Sequence, residues 1–252
     1  MEVVTQKNGR KMKSLIPASL VVIGRSIVDW WDGWIIMMLM SILWFLCQIT
    51  VILGPPATFG LYYAVHEMLE GVSVGVPEMI KAGRKYFKQA WIWGAFNLIV
   101  LFIIMTAFRF YTSIQTWWGN SLQILVILLA FLYFSSVFYG LPYFMEIEPK
   151  SLKVALRNGL YTTLAAPFFA LILFVPIALI LGLSLLLILP IFLGFPAVIP
   201  ILGFRALANR IEAFGLRKAE PLKKEIDMEH NPQSTGQKSN FDQLTSQKDK
   251  DK

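Results

Sequence analysis

The chain has 252 residues, 56% of them hydrophobic and 15% charged, with a mean hydropathy of +0.59. Soluble domains carry about a quarter of their residues as charges, so this composition excludes an ordinary water-soluble domain and fits the membrane class. The formal charge of +7 would suit a nucleic-acid binder, but lysine and arginine on the cytoplasmic loops of a membrane protein give the same excess, and no nucleic-acid partner is expected. The single cysteine, Cys47, excludes a disulfide framework or a Cys-based zinc site within one chain.

Residues 1–14 are polar and basic, with Lys7, Arg10, Lys11 and Lys13. Leu15 to Ile23 is apolar but too short to span, and Arg25, Asp29 and Asp32 follow where a signal peptide would place a small-residue cleavage site. The stretch reads as a helix over 20–28 lying on the membrane surface, anchored by Trp30, Trp31 and Trp34. Trp34 to Leu53 is the first span, about 30 Å as a helix. It ends at Leu53-Gly54-Pro55-Pro56-Ala57. Two prolines remove two backbone donors and push the preceding residue out of the helical region, so a helix cannot continue through them, and the stretch reads as a hairpin tip.

Thr58 to Leu69 is short for a bilayer by about a third. Counting it as a crossing gives six spans, 34–53, 57–72, 89–110, 121–145, 159–188 and 197–209, with both termini on one face. All but one of the 23 lysines and arginines then fall on that cytoplasmic face, Arg109 being the exception. The expected fold is all-α: a polytopic membrane protein with six transmembrane helices as three hairpins and amphipathic surface helices. Residues 1–33 form a cytoplasmic N-terminal segment, 34–214 the membrane domain, and 215–252 a polar tail expected to be disordered.

Pro77-Glu78 opens a basic amphipathic helix reaching Lys88. Met79, Ile80, Gly83, Phe87 and Ala90 are expected on one face, and Lys81, Arg84, Lys85 and Lys88 on the other. Anionic headgroups would attract it by about 1 kcal/mol per basic residue, and docking to a protein partner is the alternative. Ser151 to Arg157 repeats the theme more weakly. The apolar stretch from Leu160 to Phe204 is too long for one crossing and is expected to break at Pro190, Pro196 and Pro200.

The tip at 53–57 has an echo at Leu193-Gly194-Phe195-Pro196-Ala197, and Gly24-Arg25, Gly83-Arg84 and Leu156-Arg157 occupy similar places upstream of three hairpins. The plan suggests three parallel units of surface helix plus hairpin. Gly/Pro-interrupted segments in corresponding positions mark transporter binding sites, although Gly-Pro is also simply how a hairpin tip is built. Gly54-Pro55-Pro56-Ala57-Thr58, Tyr62-Tyr63, Glu70-Gly71 and the helix from Pro77 to Lys88, with the second tip and Arg205 to Phe214, resemble the YesL-like family of bacterial integral membrane proteins over roughly residues 20–214. The doubled proline and the long polar tail depart from the family pattern. The resemblance implies a bacterial inner (plasma) membrane protein associated with carbohydrate uptake systems, with transporter subunits as partners, and it carries over no catalytic residues.

No HExxH, GxSxG, P-loop or Cys/His cluster is present, so no enzyme, metal site or cofactor is expected. His66 and Glu70 share a helix face at metal-ligand spacing, beside Glu67, but lack a second histidine and sit where the helix reaches water. The middles of the spans hold no charge, which argues against ion coupling through buried carboxylates. Arg109 near Tyr111 either snorkels to headgroups or meets an anionic ligand. The tentative ligand-binding set is Gly54, Pro55, Pro56, Tyr62, Tyr63, Asn97, Arg109, Gly194 and Pro196. Together with Gln48, Thr50, Ser135, Ser136 and Tyr139 they would line a path for an uncharged polar solute, or else act as hydrogen-bonding glue between helices.

Overall fold

The structure, a computed structural model, describes residues 18–114, 116–187 and 194–215. Among the described residues the regular structure is helical throughout. The helices are α1 (Ala18–Asp32), α2 (Trp34–Ile49), α3 (Gly54–Leu69), α4 (Val76–Lys85), α5 (Phe87–Ser113), α6 (Trp117–Glu146), α7 (Leu152–Ala165), α8 (Pro167–Leu187) and α9 (Phe195–Ala213). The chain divides into two compact units, Met1–Ile211 and Glu212–Lys252. Of the second, only 212–215 are described, where the N–H of Gly215 (φ +72°) closes a turn on the Glu212 carbonyl. Residues 216–252 of the polar tail expected to be disordered, Pro190, and residues 1–17 lie outside the described residues.

The doubled proline does what its chemistry dictates. α2 ends at Ile49, and Pro55 and Pro56 fall in the first turn of α3, where a missing N–H has no intrahelical partner to lose. α2 returns as α3 in a tight antiparallel pair, with Trp44 Nε1 donating to Thr58 Oγ1 at 3.0 Å and Gln48 Nε2 reaching Thr58 Oγ1 at 3.2 Å. α3 is the buried centre: Phe59, Leu61, Tyr62, Ala64 and Val65 are all enclosed.

α4 starts as its sequence suggests. Pro77 lies in the first turn, and the Gly75 N–H donates to the Glu78 carboxylate at 2.9 Å. The bond from its own backbone N–H, with that from Gly75, holds the partly exposed Glu78 carboxyl below the usual range. The face it buries is rotated from the expected one. Met79, Ala82, Gly83, Tyr86 and Ala90 are buried, whereas Ile80 and Phe87 are exposed. Ala82 and Tyr86 take the places expected for Ile80 and Phe87, so the buried positions still follow one helical stripe, and α4 itself ends at Lys85, three residues before Lys88.

α5 and α6 form a long antiparallel hairpin, and among the described residues they are the two helices long and apolar enough to cross a membrane. The number rises to four if each of two bent pairs is one span: α1 with α2, bent by 91°, and α7 with α8, bent by 106°. The six crossings read from hydropathy are therefore not all present as membrane-length helices. The stretch expected to cross over 159–188 breaks at Ala166, so α7 and α8 point in different directions. Pro200 lies inside α9 and does not end it. Tyr133 OH donates to Asn97 Oδ1 at 2.6 Å, and Asn97 Nδ2 to the Trp93 carbonyl at 2.7 Å, tying the α5–α6 hairpin where it leaves the core. Tyr133→Phe is expected to cost about 1 kcal/mol of stability in detergent, read by thermal unfolding.

A short sequence echo links α3 and α6, in a different register from the one the glycine–arginine pairs suggested. Gly60, Leu61 and Tyr63 of α3 recur as Gly140, Leu141 and Tyr143 of α6, a shift of 80 residues (140 − 60). One turn before each, a carbonyl meets a glycine of the next amphipathic helix. A Cβ at Gly83 would lie 3.0 Å from Pro56 O, and one at Gly159 would lie 2.5 Å from Ser136 O. The third unit thus uses Gly159 rather than Leu156-Arg157. α9 closes back on α1: Val22 packs in one cluster with Leu202 and Ala206, and the Arg205 guanidinium grips Asp29 through Nε and Nη2 at 2.6 and 2.8 Å. Each returning helix, α3, α6 and α9, therefore supports the amphipathic helix of the following unit.

Candidate functional site

The three returning helices meet on one another. Phe59 of α3 stacks edge-on to Phe144 of α6 at 5.4 Å between centroids, Tyr62 of α3 faces Phe204 of α9 at 6.2 Å, and Gly203 lets α9 approach Pro142 of α6. At one end of this junction stands His66. Its Nε2 lies 3.5 Å from Glu146 Oε1 and 3.7 Å from Glu70 Oε1, and its ring is 5.1 Å from that of Phe204. Glu146 follows His66 by the same 80 residues (146 − 66), so the two occupy equivalent places on equivalent helices. Sequence reading found His66 and Glu70 as neighbours one turn apart. It missed Glu146, which the repeat register would have supplied. When His66 carries a proton, this group is a three-membered ion cluster joining α3 to α6. Among the described residues no group of three His, Cys, Asp or Glu side chains has a geometry that could hold a metal ion.

The tentative ligand-binding residues are not brought together. Gly54 sits against Gln48, and its carbonyl accepts from Gln48 Nε2 at 3.3 Å and Thr58 Oγ1 at 3.1 Å. Pro55 fills the space above Gly94, where a Cβ would come within 2.9 Å of its ring. Gly194 needs its positive φ of +85° and approaches the Met38 backbone, with Pro196 in the first turn of α9 behind it. Gln48 and Met38 are ten residues (48 − 38) apart on α2, about 15 Å. The two Gly-Pro tips therefore pack on different parts of α2 and do not share a site.

The polar residues are divided among separate helix contacts. Thr50 donates to the Cys47 carbonyl at 2.7 Å, Ser136 to the Leu156 carbonyl at 2.7 Å, and Tyr143 pairs with Thr162 at 2.7 Å. Tyr62 and Tyr139 are enclosed, Tyr63 packs against Tyr86, and the buried Ser135 hydroxyl has no described partner. Arg109 is exposed near the α5–α6 tip beside the Phe110–Tyr111 pair, close in sequence to the stacked Trp117 and Trp118. Lys81, Arg84, Lys85 and Lys88 are all exposed, as a lipid-facing basic set requires.

Apolar helices built around a core of three returning helices define an all-α protein suited to embedding in a membrane. Compared with protein-family models, with curated proteins and with solved structures, the chain gives no match in any of the three.

Proposed function

We propose that the chain is a membrane-embedded accessory component of a solute uptake system and not itself the permeation path. The carrying observation is the use of its polar groups, which are spent at four separate helix contacts: Gln48 with Thr58, Asn97 with Tyr133, Ser136 with the Leu156 carbonyl, and Tyr143 with Thr162. A facilitator would need such groups converging on one surface, and the two tips that would form it pack apart. The resemblance to the YesL-like family supplies the solute class, carbohydrate, and the setting, a bacterial plasma membrane with transporter subunits as partners.

The contacts support one arrangement in the bilayer. The exposed Lys81, Arg84, Lys85 and Lys88 hold α4 to anionic headgroups of the cytoplasmic leaflet, and both termini are cytoplasmic. Gly83 rests on Pro56 and Gly94 on Pro55, so the α2–α3 tip lies within about two turns of these basic residues. From Gly94, α5 runs on to Ser113, about 28 Å further. In place of six equal crossings, this favours α5–α6 as a complete transmembrane hairpin and α2–α3 as a shorter one entering from the cytoplasmic side, with exposed Val51, Ile52 and Leu53 in the hydrocarbon.

The test is purification from native membranes in mild detergent, with mass spectrometry of what accompanies the protein. A permease or ATPase subunit at a fixed stoichiometry is expected. The protein alone across several detergents, with saturable sugar binding, would favour the facilitator.

A further inference from the structure

α9 carries two arginines on which the surroundings act differently. Arg205 holds the Asp29 carboxylate with two bonds, the planar fork-to-carboxylate match that guanidinium favours. Arg210 is only 6% exposed and has no carboxylate within 4 Å among the described residues. Its Nη2 donates to the neighbouring Asn209 Oδ1 at 2.5 Å, and its Nε, fully enclosed, has no hydrogen-bond partner among the described residues. The guanidinium carbon lies 3.8 Å from the centroid of the Phe169 ring, so the plane is stacked and fixed in position. A buried cation without a counter-charge is costly, and in membrane-embedded chains such groups are paired or functional.

Phe169 belongs to the first turn of α8, a 21-residue helix. Pro167 at its start has no N–H to offer. Ala170 is the first residue for which a backbone bond into the preceding turn is described, to the Ala166 carbonyl at 3.2 Å. The start of α8 therefore presents N–H groups and the positive end of a helix dipole in the same turn whose Phe169 ring lies under the Arg210 guanidinium, and the Arg210 Nε has no acceptor among the described residues. The position also suits a ligand at the membrane surface, because α7 and α8 meet there at 106°, as a helix along the interface turning into one that enters the apolar phase.

We propose that Arg210 and the first turn of α8 form a binding site for a phosphate-type anion, and that the phosphate of an anionic phospholipid headgroup occupies it. A phospholipid would supply the missing counter-charge to Arg210 and leave its acyl chains along the apolar, outward face of α8, where Phe168, Leu171, Val175 and Leu179 are exposed. The lipid source rests on the reading of the chain as membrane-embedded; the anion site itself does not.

The experiment uses the full chain in a neutral-headgroup detergent, titrated with phosphatidylglycerol, phosphatidylcholine or inorganic phosphate, with binding read by native mass spectrometry and by thermal shift. One tightly retained phosphatidylglycerol per chain is expected, with affinity lowered roughly ten- to hundredfold by Arg210→Gln. Phe169→Leu, which keeps the charge but removes the stack, should weaken it less, and Arg157→Gln on the exposed face of α7 should leave this site unchanged. If Arg210→Gln does not fold, Arg210→Lys decides: weaker retention supports the site, and unchanged retention overturns it. Inorganic phosphate that displaces the lipid at millimolar concentration would assign the site to free anions in place of headgroups. Equal retention of phosphatidylglycerol by wild type and the Arg210 variants would overturn the proposal.

Discussion

Gly159→Ala is expected to destabilise the protein by about 2–3 kcal/mol, among the largest effects available to a single added methyl group. The new Cβ would stand 2.5 Å from the Ser136 carbonyl oxygen and 3.4 Å from the Gly140 backbone nitrogen, so the collision is with backbone and no side-chain rotation relieves it. α7 would have to lift from α6, breaking the bond from Ser136 Oγ to the Leu156 carbonyl and exposing Ala155. Gly60→Ala should behave similarly, because its Cβ would meet the Met79 carbonyl at 2.3 Å. Gly24→Ala is the control: nothing lies within 4 Å, and the same change in an exposed helix should be neutral or stabilising by about 0.5–1 kcal/mol. Thermal unfolding in detergent ranks the three. Equal midpoints would show that the helices do not approach so closely.

Asp29→Asn should cost about 1–3 kcal/mol, and Arg205→Lys somewhat less, since lysine keeps the charge but not the two-point geometry. The pair lies 176 residues apart in sequence, joining the last returning helix to the first amphipathic one. Its side chains are partly exposed, so the loss is smaller than for a fully enclosed pair. A double-mutant cycle on unfolding midpoints should give a coupling of at least about 1 kcal/mol between the two positions. Exchanging the charges, Asp29→Arg with Arg205→Asp, should recover part of the loss. Additive single effects would mean that the ring of three units does not close through this contact.

Much of this architecture is legible in the sequence because it follows from local chemistry. Two adjacent prolines can sit together only in a helix's first turn, and they start α3 where the reading placed a break. Pro77 and Glu78 marked the start of α4 for the same reason. Length was harder to read. Hydropathy sums residues along the chain and cannot tell an apolar helix facing lipid from one facing protein, so it could not show that α3 is enclosed by α2, α4, α5 and α6. The bend at Ala166 had no proline or glycine at the turning residue itself to announce it; Pro167 was read as part of a continuous apolar run.

The site was legible in fragments. His66 with Glu70 is a one-turn pattern visible in any helix. Glu146 requires knowing that α3 and α6 are equivalent, and the pairing of Asp29 with Arg205 requires knowing that the last unit returns to the first. The interior polar residues can be picked out from the sequence, but that Asn97 bonds Tyr133 depends on a partner 36 residues away.

Site-directed thiol labelling tests the bilayer arrangement most directly. With Cys47 replaced by alanine, single cysteines at Ile52, Lys85 and Trp117 are exposed to a membrane-impermeant maleimide on sealed right-side-out vesicles. Labelling of Trp117→Cys alone, with Lys85→Cys reacting only after the vesicles are opened, is the predicted result. It would place the α5–α6 tip outside and α4 inside, with the α2–α3 tip buried short of the outer face. Labelling of Ile52→Cys from outside as readily as Trp117→Cys would contradict it and make α2–α3 a full crossing.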